Sequence, residues 1–219
     1  MQRDPYRPLH KAILTRLVEI GQLAGSTDFL DAPSAQHFRD EFTGLGMFLE
    51  HHAQHEDNNI HPLLHHHHVQ EVSDLEAQHE AIDREFAEVQ AAFESLMSEP
   101  QEHKWDAAHT FYLRYHRFVS SYLAHLCDEE MRFLPLLRQH CSEADFDELA
   151  KADFAAEDPE HLRPMLQRFL PSFNAADIAL MLADVRRVVP DNVFAQYCHV
   201  FEDLLGEGNW QKVEGLLES

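Results

Sequence analysis

Residues 125–137 read HLCDEEMRFLPLL, and residues 52–64 read HAQHEDNNIHPLL. Both stretches place a glutamate four residues after a histidine, follow it with a second acid, and end in Pro-Leu-Leu. A second pair also matches: HKAILTRLVEI at 10–20 and HEAIDREFAEV at 79–89 share a histidine, an Ala-Ile pair and a later glutamate before Ile or Val. Because the two matches occur in the same order along the chain, the sequence indicates an internal repeat.

Four segments before residue 140 carry apolar residues in alternating steps of three and four, as in helices that turn one face toward a core. These stripes are Ile13, Leu17 and Ile20; Phe38, Phe42, Leu45 and Leu49; Leu75, Ile82, Phe86, Val89 and Phe93; and Phe111, Tyr115, Phe118 and Tyr122. The connections between the segments are short, which favours antiparallel neighbours. The sequence therefore predicts an all-α protein, with an up-down-up-down four-helix bundle over residues 1–140. Residues 141–219 are predicted to form a helical C-terminal extension of unknown role.

Six polar side chains occupy positions in these stripes that a core normally fills with apolar residues. They are His10, His52, Glu56, His79, His125 and Glu129. Burying imidazoles and carboxylates is costly unless a partner compensates, and a metal is the partner that uses all six at once. In an antiparallel bundle the helix ends that carry them lie at the same pole. We therefore expect the six side chains to converge on one metal site.

The donor set indicates two metal ions. Each half of the repeat supplies two histidines and one glutamate, and a His and a Glu four residues apart lie about 40° apart around a helix. Four imidazoles and two carboxylates suit a pair of ions bridged by the two glutamates. Such donors suit iron, manganese or zinc, and a dinuclear site open to small ligands favours iron. The predicted cofactor is a pair of iron ions with an oxo or hydroxo bridge, with manganese and zinc as alternatives.

With these motifs the sequence resembles the hemerythrin-like family, also called HHE cation-binding domains, over roughly residues 5–140. The matching motifs are His10, HAQHE at 52–56, His79 and HLCDE at 125–129. The resemblance implies a four-helix bundle with a non-heme di-iron centre that binds or reacts with oxygen, peroxide or nitric oxide.

One departure from the oxygen-carrying members of that family bears on function. Those members have a second histidine four residues after the third-helix histidine, and an aspartate five residues after the last histidine, where this chain has Asp83 and Glu130. The chain is more similar to the regulatory and stress-response branch, and simple reversible oxygen carriage is not expected.

The motifs leave open whether the site catalyses a reaction. One alternative is a metal-responsive interaction protein, in which iron binding to the bundle signals through the C-terminal helices to a protein partner. A ferritin-like oxidase fits less well, because such sites use Glu-x-x-His on two helices, a spacing that neither helix pair shows here.

Three further residues are candidates for contact with the side chains that bind the metal, or with a small molecule bound at the site. Asp83 lies one turn after His79, and Tyr122 lies one turn before His125, where its hydroxyl can hydrogen-bond a bound ligand. His55 lies about 60° from the stripe and is the third candidate.

The remaining histidines of the rich stretch at 51–68 are predicted to stay outside the site. His51 falls about 100° from His52 on the helical wheel and lies outside the apolar stripe. We interpret His61 and the run His65–His68 as a solvated loop after the second helix. A transient site that loads metal into the bundle is the alternative for the run.

Composition limits the partners. A formal net charge of −22 argues against nucleic acid or an anionic membrane, since both need a basic surface. No segment reaches eighteen apolar residues, and the first residues lack the apolar stretch of a signal peptide, which predicts a cytoplasmic protein. The three cysteines form no Cys-x-x-Cys motif and are predicted to be reduced thiols.

Overall fold

The structure, a computed structural model, describes residues 2–155 and 158–218, which are helical with no β-strand among them. The α-helices are α1 (Arg7–Ser26), α2 (Ala32–His55), α3 (His61–His66), α4 (Val72–Ser98), α5 (Gln101–Asp128), α6 (Leu134–His140), α7 (Glu143–Phe154), α8 (Pro159–Phe169), α9 (Ala175–Val188), α10 (Asp191–Leu205) and α11 (Glu207–Leu217). The prediction of an all-α protein is confirmed. Within the described ranges, every helix is too short or too polar to cross a bilayer.

Helix ends fall at residues whose side chains cap them. Asp31 precedes α2, and its carboxylate accepts a hydrogen bond from the backbone N–H of Ser34. Ser142 and Asp145 form a reciprocal capping box at the start of α7. Gly206 ends α10 at a φ of +74°, a backbone conformation that residues with a Cβ rarely adopt. These caps satisfy backbone groups that helix ends leave without partners.

Two π-helical turns begin at the two glutamates of the repeat. α2 passes into a π-helix at Glu56–Ile60 and then into α3, and α5 passes into a π-helix at Glu129–Phe133 and then into α6. Single π-turns are rare and occur mostly at functional sites. The predicted loop after the second helix is therefore largely helical, since the chain stays helical as far as His66.

Contacts divide the chain into two compact units, and the predicted domain boundary at residue 140 stays a prediction. The first unit comprises residues 13–61 and 69–131. Its core is largely aromatic: the ring of Phe38 lies 5.3 Å from that of Phe93 and 5.6 Å from that of Phe111. Edge-to-face and tilted ring pairs of this kind stabilise a core beyond the area they bury.

Two contacts join α1 to α5 within the first unit. The buried hydroxyl of Tyr115 donates a hydrogen bond to the backbone carbonyl of Leu17 over 2.8 Å. At Gly21 a Cβ would lie 2.9 Å from the imidazole of His116, so a larger residue there would require that side chain to shift. These contacts hold the helices whose ends carry the predicted ligands.

The second compact unit comprises residues 1–12, 62–68 and 132–219, and we call it the C-terminal unit. Its apolar core is formed by α9, α10 and α11, around residues such as Leu182, Tyr197 and Trp210. The buried guanidinium of Arg3 joins the N-terminus to this unit: it pairs with Asp147 at 2.8 Å and with Asp184 at 2.5 Å. These ion pairs connect the first residues of the chain to α7 and α9, more than 140 residues further along the sequence.

Candidate metal centre

Four buried side chains of the types that bind metals meet in the first unit. Glu56, His79, His125 and Glu129 each offer one ligand atom, and these four atoms all lie within 4.8 Å of one another. Each side chain is at most 7% exposed, and Glu129 is fully buried. The glutamates stand at the first residues of the two π-helices, and the histidines stand on α4 and α5. Together with His52 they form what we call the His/Glu cluster.

Each glutamate of this cluster lies between two imidazoles. Oε2 of Glu56 is 3.5 Å from Nε2 of His52 and 3.3 Å from Nε2 of His79. Oε1 of Glu129 is 3.5 Å from Nε2 of His79 and 3.1 Å from Nε2 of His125. One oxygen of each carboxylate thus lies close to two imidazole nitrogens, so these groups could serve together as ligands of a cation.

Asp57 orients His79. Its Oδ1 accepts a hydrogen bond from Nδ1 of His79 at 3.0 Å and from Nδ1 of His61 at 3.0 Å. If His79 loses one proton and keeps the one on Nδ1, its lone pair would lie on Nε2, which faces the two glutamates. Histidines that bind metals commonly donate their other N–H to a carboxylate in this way, which fixes both tautomer and ring orientation.

Gln78 orients His125 by the same principle. Its Oε1 lies 3.0 Å from Nδ1 of His125, while its Nε2 donates to the carboxylate of Asp128 at 3.1 Å. Because Asp128 can only accept, it fixes which end of the Gln78 amide faces the imidazole. Nε2 of His125 is then the nitrogen with the lone pair, directed at Glu129.

The charge balance of the His/Glu cluster calls for a cation. Burial lowers the pKa of His79, but hydrogen bonds to Glu129 and Glu56 raise it more strongly, to about 10. In the metal-free chain a protonated His79 thus compensates two buried carboxylates, which are costly to bury alone. A metal ion held by the same donors would take over this role and allow His79 to be neutral. The residues present therefore fit a metal.

A cavity of about 680 Å³ opens onto the His/Glu cluster. It is lined by four residues of the cluster (His52, Glu56, His79 and His125), by the aromatic rings of Phe86, Phe118 and Tyr122, and by Asp83. Burial raises the pKa of the Tyr122 hydroxyl well above its usual value, as do the charges of Glu56, Glu129 and Asp83. The hydroxyl therefore stays protonated and can donate a hydrogen bond. The cavity is large enough for a small molecule.

The structure places the other predicted residues as follows. His10 is 3% exposed on α1, with its ring 5.1 Å from that of Tyr6. It lies in the C-terminal unit, and its assignment as a ligand stays a prediction. His55 is half-buried and is not among the described residues that line the cavity, and His51 is exposed, as predicted.

Three residues that contact the His/Glu cluster were missed: Asp57, His61 and Gln78. The sequence assigned no role to Asp57. His61 was interpreted as part of a solvated loop, yet it is 3% exposed and its ring lies 4.7 Å from that of His79. The π-turn explains the difference, because its wider spacing rotates residues away from their α-helical positions. Gln78 aligns with Leu9 in the internal repeat, so the comparison of the two halves did not single it out.

Comparison with known proteins identifies the family. The profile of the family described as Hemerythrin HHE cation binding domain matches residues 6–137. This match covers more than half of the 219 residues, so the chain belongs to the hemerythrin HHE cation-binding family. The resemblance seen in the sequence is confirmed, and the His/Glu cluster lies within the matched region. Neither the curated proteins nor the solved structures give a significant match.

Proposed function

We propose that α1, α2, α4 and α5 form an up-down-up-down bundle that holds two iron ions on His10, His52, Glu56, His79, His125 and Glu129. The observation that carries this proposal is that each of two buried glutamates lies between two imidazoles, at 3.1–3.5 Å. Membership of the cation-binding family supports it. Manganese or zinc would suit the same donors, and iron is favoured because a cavity for a small ligand adjoins the site.

The ligand we propose is oxygen, peroxide or nitric oxide, in a sensing or stress-response role. When bound, iron would supply redox chemistry and a position for such a molecule. The residues of the chain do the rest. Asp57 and Gln78 hold His79 and His125 in orientation, and Phe86 and Phe118 keep bulk water from the cavity. The protonated hydroxyl of Tyr122 provides a hydrogen bond to a molecule in the cavity.

Loading the metal-free chain with ferrous iron tests this proposal. We expect two iron ions per chain by mass spectrometry, because six ligands of this kind suit two ions. Exposure to oxygen should then produce the near-ultraviolet absorption of a bridged di-iron centre. Zinc in the isolated protein, together with an iron-loaded protein that shows no such absorption, would contradict the redox role.

A second candidate function is metal sensing, and one contact favours it. Lys11 is adjacent to His10 on α1, and its ammonium group pairs with the buried carboxylate of Asp177 at the start of α9. A change at His10 on metal binding would therefore reach a helix of the C-terminal unit directly. This would make the C-terminal helices a reporter of the metal state.

Hydrogen exchange tests the sensing function. Metal loading should slow amide exchange in α9, and Lys11→Met should abolish this difference while leaving the metal content at its original level. Lys151→Met, which removes an exposed charge from α7, is the matched control and should preserve the difference. Equal exchange of α9 in the metal-free and loaded protein would rule the function out.

A further inference from the structure

A second group of metal-ligating side chains lies in the C-terminal unit and uses no residue of the His/Glu cluster. His67, Cys141 and Asp145 each offer one ligand atom, and the three atoms lie within 4.8 Å of one another. All three side chains are half-buried, so the group is accessible to a cation from solvent. An imidazole, a thiol and a carboxylate that converge from separate parts of the chain suggest a function of their own.

Local structure holds these three residues in place. His67 directly follows α3, Cys141 ends α6 through a backbone hydrogen bond to Leu137, and Asp145 lies in the first turn of α7. Nε2 of His67 lies 3.2 Å from Oδ2 of Asp145. Side-chain positions set by helix ends in this way are well defined before any ion binds.

Hydrogen bonds also fix the carboxylate of Asp145. The backbone N–H and the hydroxyl of Ser142 donate to its Oδ2 at 2.7 and 2.8 Å. Carboxylates that bind metals are commonly held by such outer hydrogen bonds. The contacts from Ser142 and His67 all go to Oδ2, so none of them uses Oδ1. The capping box requires only Ser142 and Asp145, and it does not account for the thiol and the imidazole beside them.

We propose that His67, Cys141 and Asp145 bind a zinc ion, with the fourth position open to water. Zinc takes tetrahedral sets of thiolate, imidazole and carboxylate ligands, whereas magnesium and calcium prefer oxygen alone. Zinc–ligand bonds of 2.0–2.3 Å place neighbouring donors about 3.5 Å apart, so the three donors need to close by only about 1 Å. The net charge of −22 favours the approach of cations.

Cobalt substitution separates this site from the His/Glu cluster, because only this site has a sulfur ligand. On addition of Co²⁺ to the full chain we expect a thiolate-to-cobalt charge-transfer band, and Zn²⁺ should abolish it by displacement. Cys141→Ser should remove the band. Cys127→Ser and Cys198→Ser are matched controls that should keep it, since neither cysteine belongs to the group.

Variants of the histidine complete the test. His67→Gln should weaken cobalt binding at this site by at least about tenfold, since losing an outer partner alone costs about 10- to 100-fold. His65→Ala, an exposed neighbour, should leave it unchanged. A wild-type chain without a thiolate band, or a band that survives Cys141→Ser in folded protein, would overturn the proposal. The iron content of the same variants is read separately, so failure here is distinct from failure of the di-iron assignment.

Discussion

Replacing His125 by alanine should lower the bound iron from two ions per chain to one or none. His125 is 4% exposed, and its Nε2 lies 3.1 Å from Oε1 of Glu129. The substitution therefore removes a proposed ligand and one of the two imidazoles beside Glu129. Gln78 faces Nδ1, the other nitrogen of the ring, and is therefore not placed to take over the role of Nε2. Metal content by mass spectrometry, normalised to folded protein, measures the effect.

His51→Ala is the matched control for this substitution. His51 lies next to His52 on α2 but is exposed, and we expect the full two ions in this variant. His52→Ala should behave like His125→Ala, because the two residues are counterparts in the repeat. A double variant of His52 and His125 that still binds two ions stoichiometrically would contradict the assignment.

Replacing Asp57 by alanine should weaken metal binding by about 10- to 100-fold, although Asp57 is not proposed as a ligand. Its Oδ1 accepts hydrogen bonds from both His79 and His61, so its loss releases the His79 ring and leaves two buried imidazole N–H groups without this acceptor. Metal affinity, measured by competition with a chelator, reports the loss. Asp57→Asn should give an intermediate affinity, because the amide keeps one acceptor oxygen but not the charge.

Asn58→Ala is the control for Asp57, since it changes the next, exposed residue of the same π-helix. It should leave metal affinity unchanged. Circular dichroism of the metal-free variants shows whether they are folded. Weaker metal binding by a folded variant is then due to a change in the orientation of His79. If Asp57→Ala binds metal as tightly as the unmodified chain, Asp57 does not position His79.

The sequence predicted the helices and the polar residues that recur in the internal repeat. It missed the residues whose roles depend on contacts between helices. The helical periodicity identifies four amphipathic segments, and the polar residues within the stripes identify Glu56, His79, His125 and Glu129, which the structure brings together. The signal is strong because a buried carboxylate on an apolar stripe is rare. The identity of these residues as ligands remains a prediction.

Asp57, His61 and Gln78 were not predictable by the same means. The roles of Asp57 and His61 depend on the π-turn at Glu56–Ile60 and on the packing of α4 beside it, and that of Gln78 depends on the contact of α4 with α5. A helical wheel encodes none of these. His61 has a leucine as its counterpart in the repeat, and Gln78 has a leucine as well, so the internal comparison gave no signal for either. Orientation of a ligand by its neighbours is a property of tertiary structure.

The placement of each glutamate between two imidazoles bears on how a bound metal would stabilise the folded chain. Metal ions held by His52 and Glu56 on one side and by His125 and Glu129 on the other would join two points roughly 70 residues apart. A permanent cross-link of that span would restrict the unfolded ensemble by about 4 kcal/mol in the loop-entropy description of disulfides. A metal that leaves on unfolding stabilises the folded chain by its binding free energy instead. The centre would then act as a reversible cross-link of the folded chain, which a chelator removes and added iron restores. The three cysteines, all among the described residues, are free thiols, so the chain would thereby gain a cross-link that depends on the metal supply of its surroundings.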